Sequence, residues 1–170
     1  MAEVNEEILE QYLKIHKKWF YIGDITFAVP HNYSNIDVLG FDPFTNRCYD
    51  FEVKYRSAFS LTNNGEDINY LVEQFSKYKV QREEKLAEFT NGRPTTKVIV
   101  TTKKMLGLSE KKRAEMESTF HARMADFGFS SEIWYFDEMI PALVQCVEKS
   151  GRYNTQLLQT IRLLKVYGQV

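Results

Sequence analysis

Cysteine is scarce in this sequence: Cys48 and Cys146 are the two present in 170 residues. That number excludes a disulfide scaffold, a four-cysteine zinc site and an iron–sulfur cluster. The three histidines, His16, His31 and His121, have no metal-ligand spacing. Four prolines and eight glycines form no linker, and there is no internal repeat or low-complexity tract, so residues 1–170 are read as one domain. No apolar run approaches the roughly 20 residues of a membrane span, and the acidic start from Ala2 to Glu10 is no signal peptide. Neither sign of charge dominates: 22 Lys plus Arg against 23 Asp plus Glu leave a net charge of -1. A highly basic nucleic-acid coat protein is excluded, although local basic patches are not. A Gly-rich phosphate loop, a serine nucleophile elbow and a zinc signature are all missing. What is present is 44% hydrophobic and 26% charged residues, which argues against disorder and for a packed core. The expectation is a soluble cytoplasmic protein with reduced thiols and no membrane partner.

Residues 6–18 carry Ile8, Leu9, Tyr12 and Leu13 at helical spacing, with early glutamates and late lysines suited to the helix dipole. The period then changes to two over residues 20–29, with Ile25, Phe27 and Val29 on one side. Further strands are expected at 35–41 and 47–55, joined by the hairpin-like run Asp42-Pro43-Phe44-Thr45-Asn46. Residues 57–66 read as a polar, mobile loop. One long helix is expected over 67–89, stopped by Asn91-Gly92-Arg93-Pro94. A buried strand at 97–102, a helix at 109–127, a short strand at 132–136 and helices at 138–149 and 154–166 complete the reading. The order α-β-β-β-α-β-α-β-α-α implies an α/β fold with a mixed sheet flanked by helices.

The chemistry concentrates on the third strand, Cys48-Tyr49-Asp50-Phe51-Glu52-Val53-Lys54-Tyr55. Alternation puts Tyr49, Phe51, Val53 and Tyr55 on one face and Cys48, Asp50, Glu52 and Lys54 on the other. With a hairpin between the strands, Asp37 of Asn35-Ile36-Asp37-Val38-Leu39 lies next to Glu52. Glu-x-Lys alone is weak: 16 Glu and 14 Lys produce it about once by chance, and charged sheet faces are commonly just solvated. It occurs three times, but Glu83-Glu84-Lys85 and Glu110-Lys111-Lys112 sit on helical stretches. Only Glu52-Val53-Lys54 lies in an apolar strand that follows an aspartate on the strand before it.

Asp37, Glu52 and Lys54 in this α-β-β-β-α-β context resemble the PD-(D/E)xK nuclease superfamily. The resemblance covers roughly residues 6–102, and Ile36 replaces the motif's proline. It implies a restriction-endonuclease-like core over about 6–136, with a C-terminal helical extension over about 138–167. It also implies a metal-dependent deoxyribonuclease acting in restriction, repair or recombination, with DNA as partner and a homodimer as one possible assembly. Mg²⁺ or Mn²⁺ would be held by Asp37, Glu52 and a main-chain carbonyl such as that of Val53, a hard oxygen set. Lys54 would position or deprotonate the attacking water and offset charge, with a pKa depressed by the nearby cation.

The Gln74-x-x-x-Tyr78 pair is similar to an accessory motif of the RecB-like branch and places Gln74 among the catalytic residues. In resolvase-like branches the first helix supplies a further metal-site glutamate. Glu6 and Glu10 are the candidates here, with Glu10 preferred on spacing. DNA contacts are expected from Arg56, Lys77, Tyr78, Lys79 and Arg82, with Lys103-Lys104 and Lys111-Lys112-Arg113 as further clusters. The alternative reading is a catalytically silent nuclease-fold module that binds DNA or protein.

Overall fold

Period-two alternation marks the strand over residues 20–29, and a nearly continuous buried run marks the one over residues 95–101. The computed structural model describes residues 4–55, 66–148 and 155–170. Its strands are β1 (Phe20–Val29), β2 (Asn32–Asp42), β3 (Arg47–Val53), β4 (Thr95–Thr101) and β5 (Ser131–Tyr135), in the order β1-β2-β3-β4-β5. The first three form an antiparallel meander, and β4 and β5 join in parallel after helical crossovers. The β2–β3 turn is held by Asp42, whose Oδ1 accepts from the Phe44 amide at 2.8 Å and whose Oδ2 accepts from Thr45 Oγ1 at 2.6 Å. Asn46 closes the turn in the left-handed region, where asparagine is well tolerated.

Around the sheet lie α1 (Val4–Gln11), α2 (Glu66–Ser76), α3 (Lys79–Thr90), α4 (Lys103–Leu106), α5 (Glu110–Asp126), α6 (Phe136–Cys146) and α7 (Gln156–Val166). One face is covered by Leu9 and Leu13 from the N-terminal helix and by Phe136 and Met139 of α6, packed on Val38, Tyr49, Phe51, Val98 and Val100. The other face is covered by α2 and α5, which bury Phe75 and Phe120 with Ile99, and by α3, which places Leu86 on Ile25, Phe27 and Leu39. The result is a mixed sheet between two helical layers, the α/β class expected.

Two expected elements differ. The first helix continues as a π-helical segment, Tyr12–Lys17, ended by Lys18 in the left-handed region. The single helix expected over 67–89 is two, because the chain leaves helical geometry at Tyr78 (φ -126°, ψ 43°). The break frees the last carbonyls of α2, and that of Gln74 accepts from Arg82 Nη1 at 3.2 Å. An apolar stripe that stays in phase across the break hides it from a periodicity argument. The loop expected over 57–66 lies almost wholly outside the described residues.

Candidate active site

Register alone brings the acidic residues together. Val38 pairs with Phe51 and Leu39 with Asp50, so the next position along sets Asp37 opposite Glu52. Asp37 Oδ2 accepts the Val53 amide at 2.7 Å, which ties the aspartate to the end of β3. Lys54 then turns back over both: its Nζ lies 2.8 Å from Glu52 Oε2 and 3.7 Å from Asp37 Oδ2. Asp37, Glu52 and Lys54 thus converge at one point where β3 ends. Lys54 is not the exposed sheet-face lysine that alternation suggests, since only 20% of its side chain is accessible.

Beneath this trio the charged face is not solvated. Glu52 is 3% exposed, Asp50 0% and Arg82 2%, all covered by α3. Arg82 makes a two-pronged contact with Asp50, Nε to Oδ2 at 2.8 Å and Nη2 to Oδ1 at 2.6 Å, and its Nη1 lies 2.8 Å from Glu52 Oε1. Lys97 reaches Asp50 Oδ2 at 3.0 Å from the neighbouring strand, where the two residues are in register, and also contacts Glu83 and Thr95. The planar guanidinium suits this work because it serves two carboxylates at fixed geometry.

These contacts set the proton affinities. Burial raises the Glu52 pKa; Arg82 and Lys54 pull it down, Asp37 pushes it up, and the balance is upward. Asp37 is likewise raised, mainly by burial, with Glu6 adding to the rise while Lys54 and the Val53 amide oppose it. Asp50 falls below the usual carboxylate range: burial opposes this, but Arg82 and Lys97 outweigh it. Burial lowers Lys54, yet Glu52 and Asp37 more than compensate and hold it above an ordinary lysine. The depressed pKa expected of Lys54 therefore does not belong to the metal-free chain.

The remaining expected residues divide. Arg82 is corrected: it lies in the interior, saturated by Asp50 and Glu52, and cannot meet a phosphate. Gln74 is half-buried on α2, its amide donating to the Tyr70 carbonyl at 2.8 Å and its own carbonyl receiving Arg82. Tyr78 does not share a helix face with Gln74, because the break between α2 and α3 falls between them, and its ring packs beside Leu86. Lys77 is exposed over the Tyr78 ring, and Lys79 donates to the Phe127 carbonyl at 2.6 Å. Arg56 lies outside the described residues. Of the two N-terminal glutamates, Glu6 adds its charge to the rise at Asp37. The Glu10 carboxylate lies over Gly23, against a point that the Asp37 carbonyl also approaches.

Sequence reasoning missed two residues that shape the site. Asp50, one strand period before Glu52, anchors Arg82, and its signal was its place on the same face. Lys97, in register with Asp50 on β4, meets the same carboxylate at 3.0 Å. Among the described residues no group of three or more histidines, cysteines and acids is set out as a metal cage. Mg²⁺, however, is commonly held by one or two carboxylates completed by waters and substrate phosphates, and the pair Asp37 and Glu52 fits that pattern.

No family model matches the sequence, and no curated protein matches it. The chain is similar to the crystal structure of a protein of unknown function, AF1548, at 16% identity and a TM-score of 0.47, over 96% of this chain and 77% of that one.

Proposed function

We propose that this protein is a metal-dependent deoxyribonuclease with a restriction-endonuclease-like core, in which Asp37, Glu52 and Lys54 form the hydrolytic centre. The observation that carries the reading is the convergence of two carboxylates of raised proton affinity on one lysine. Burial of both carboxylates, and the charge of Asp37 acting on Glu52, cause that rise, and a divalent cation offsets both. Asp37 and Glu52 would hold Mg²⁺ or Mn²⁺, which supplies a more acidic bound water and polarises the phosphate. Lys54, kept charged by its neighbours, orients the attacking water and offsets negative charge building on the phosphate oxygens. Arg82 and Asp50 hold Glu52 in place from below, and Gln74 supports Arg82 through its carbonyl.

A second reading has its own support: both Glu52 oxygens are already engaged, by Arg82 and by Lys54. A nuclease-like fold kept for binding would show such internal pairing. Incubation with duplex, single-stranded, flap and four-way-junction DNA in Mg²⁺ or Mn²⁺ separates the two. Metal-dependent cleavage of any substrate is expected; salt-sensitive binding without cleavage would assign the binding module.

A further inference from the structure

The helix-covered face opposite Asp37 and Glu52 carries a second cluster with a different chemistry. Tyr12, Trp19, Tyr49 and Trp134 wall a cavity of about 320 Å³ between the N-terminal helix, β3 and β5. Trp19 stacks on Tyr49 at 4.7 Å, and Trp134 lies 5.7 Å from Trp19 and 6.1 Å edge-on from Tyr12. The ammonium of Lys17 sits inside this box, 5.3 Å from the Trp134 ring, 5.8 Å from Tyr12 and 5.9 Å from Trp19. All three distances fall within the reach of cation–π attraction, and Trp is its strongest partner.

Three features make this a built cation site. The π-helical segment carries Tyr12 and Lys17 five residues apart, the spacing of its own wide turn, and such segments recur at functional sites. Glu132 fixes the Trp134 ring by accepting its indole N–H at 2.8 Å, and Glu138 joins it in the cavity wall. Tyr12, Trp19 and Trp134 thus surround the Lys17 ammonium, with Tyr12 backed by His16 and Trp19 by Tyr49 in stacked pairs, and two carboxylates in the wall add negative charge. A box of aromatic faces with an acidic rim is the arrangement that recognises alkylated ammonium groups.

We propose that this cavity is a recognition site for a methylated or quaternary ammonium group, and that Lys17 is its built-in occupant, displaced when an external cation binds. The site is independent of the nuclease reading, since Tyr49 and Glu52 point to opposite faces of β3. Exchange is physically reasonable because a primary ammonium is strongly hydrated and gives up more water than a methylated one on entering the box.

Both tryptophans of the chain, Trp19 and Trp134, line the cavity, so intrinsic tryptophan fluorescence reports on it selectively. The full chain and its Lys17→Ala variant are titrated with choline, and with 3,3-dimethylbutan-1-ol, the uncharged isostere, at constant ionic strength. Lys17→Ala should bind choline saturably and at least tenfold more tightly than the wild type, with little response to the alcohol. Adding Trp134→Leu, or Glu132→Gln where the first fails to fold by thermal melt, should weaken that binding severalfold. A peptide bearing one trimethyllysine, run beside its unmodified form, decides whether the natural cation is a free small molecule or a modified side chain. No saturable choline response in folded Lys17→Ala, equal binding of the alcohol, or equal affinity with and without Lys17 would overturn the proposal.

Discussion

Replacing Arg82 by alanine tests whether the charged face of β3 is an interior network or a DNA-contacting surface. Arg82 is 2% exposed and serves both Asp50 and Glu52, so its loss strands two buried carboxylates. Removing one partner of a buried ion pair costs about 3–5 kcal/mol, against a total stability of about 5–15 kcal/mol for a domain. At about 2–4 °C per kcal/mol for a chain of this size, Tm should fall by roughly 6–20 °C. The loss should also depend on pH. Asp50 titrates below the usual carboxylate range in the wild type, so its contribution is present above the unfolded-state value and fades as pH falls through the folded one. In Arg82→Ala the stranded carboxylates gain protons readily, so the gap between variant and wild type should narrow under acid conditions. Thermal melts or urea titrations from neutral pH to about pH 3 measure both effects. Should Arg82→Ala prove too unstable to purify, Arg82→Lys serves: it keeps the charge but not the fork, and should fall between variant and wild type. A Tm within 2 °C of wild type, by the same scale, would refute the buried network.

Three further outcomes follow from the same geometry. Lys54→Ala should abolish cleavage in a single-turnover assay while the far-UV spectrum stays native, and Lys54→Arg should rescue poorly because its larger planar head cannot take the place between Asp37 and Glu52. Glu6→Gln should lower the cleavage rate more than Glu10→Gln if the charge of Glu6 on Asp37 matters to the centre; equal effects, or a larger loss in Glu10→Gln, would remove that role. Asp42→Ala should cost about 1–2 kcal/mol by loss of the turn hydrogen bonds, and the wild-type contribution should fade as pH falls through the lowered Asp42 pKa.

Much of the fold was legible because strand periodicity is a local signal. The period-two run from Phe20 to Val29 coincides with β1, and the Asp42–Asn46 turn announces the hairpin that sets Asp37 beside Glu52. The break at Tyr78 was not legible, because it is stabilised at long range by Arg82 reaching Gln74 and the sheet. The same residue shows the limit for the site. Arg82 sits among Lys77, Lys79 and Lys85 in a run that reads as a basic surface, and only the tertiary fold turns it inward onto Asp50 and Glu52. Asp50 and Lys97 are likewise ordinary charged residues in sequence, and become a pair only when β4 docks parallel to β3 in that register. The aromatic box depends on Trp19 and Trp134, which are far apart along the chain and meet across the sheet's end.

The proposed metal-dependent hydrolytic centre consists of Asp37, Glu52 and Lys54. Its most direct test is single-turnover DNA cleavage in Mg²⁺ by wild type and Asp37→Asn, a near-isosteric change that keeps an acceptor for the Val53 amide but removes the charge. Wild-type cleavage should cease on chelation, and the variant should be slowed by at least a hundredfold with an unchanged melt. Cleavage by Asp37→Asn at the wild-type rate, or wild-type cleavage indifferent to chelator, would contradict the proposed centre.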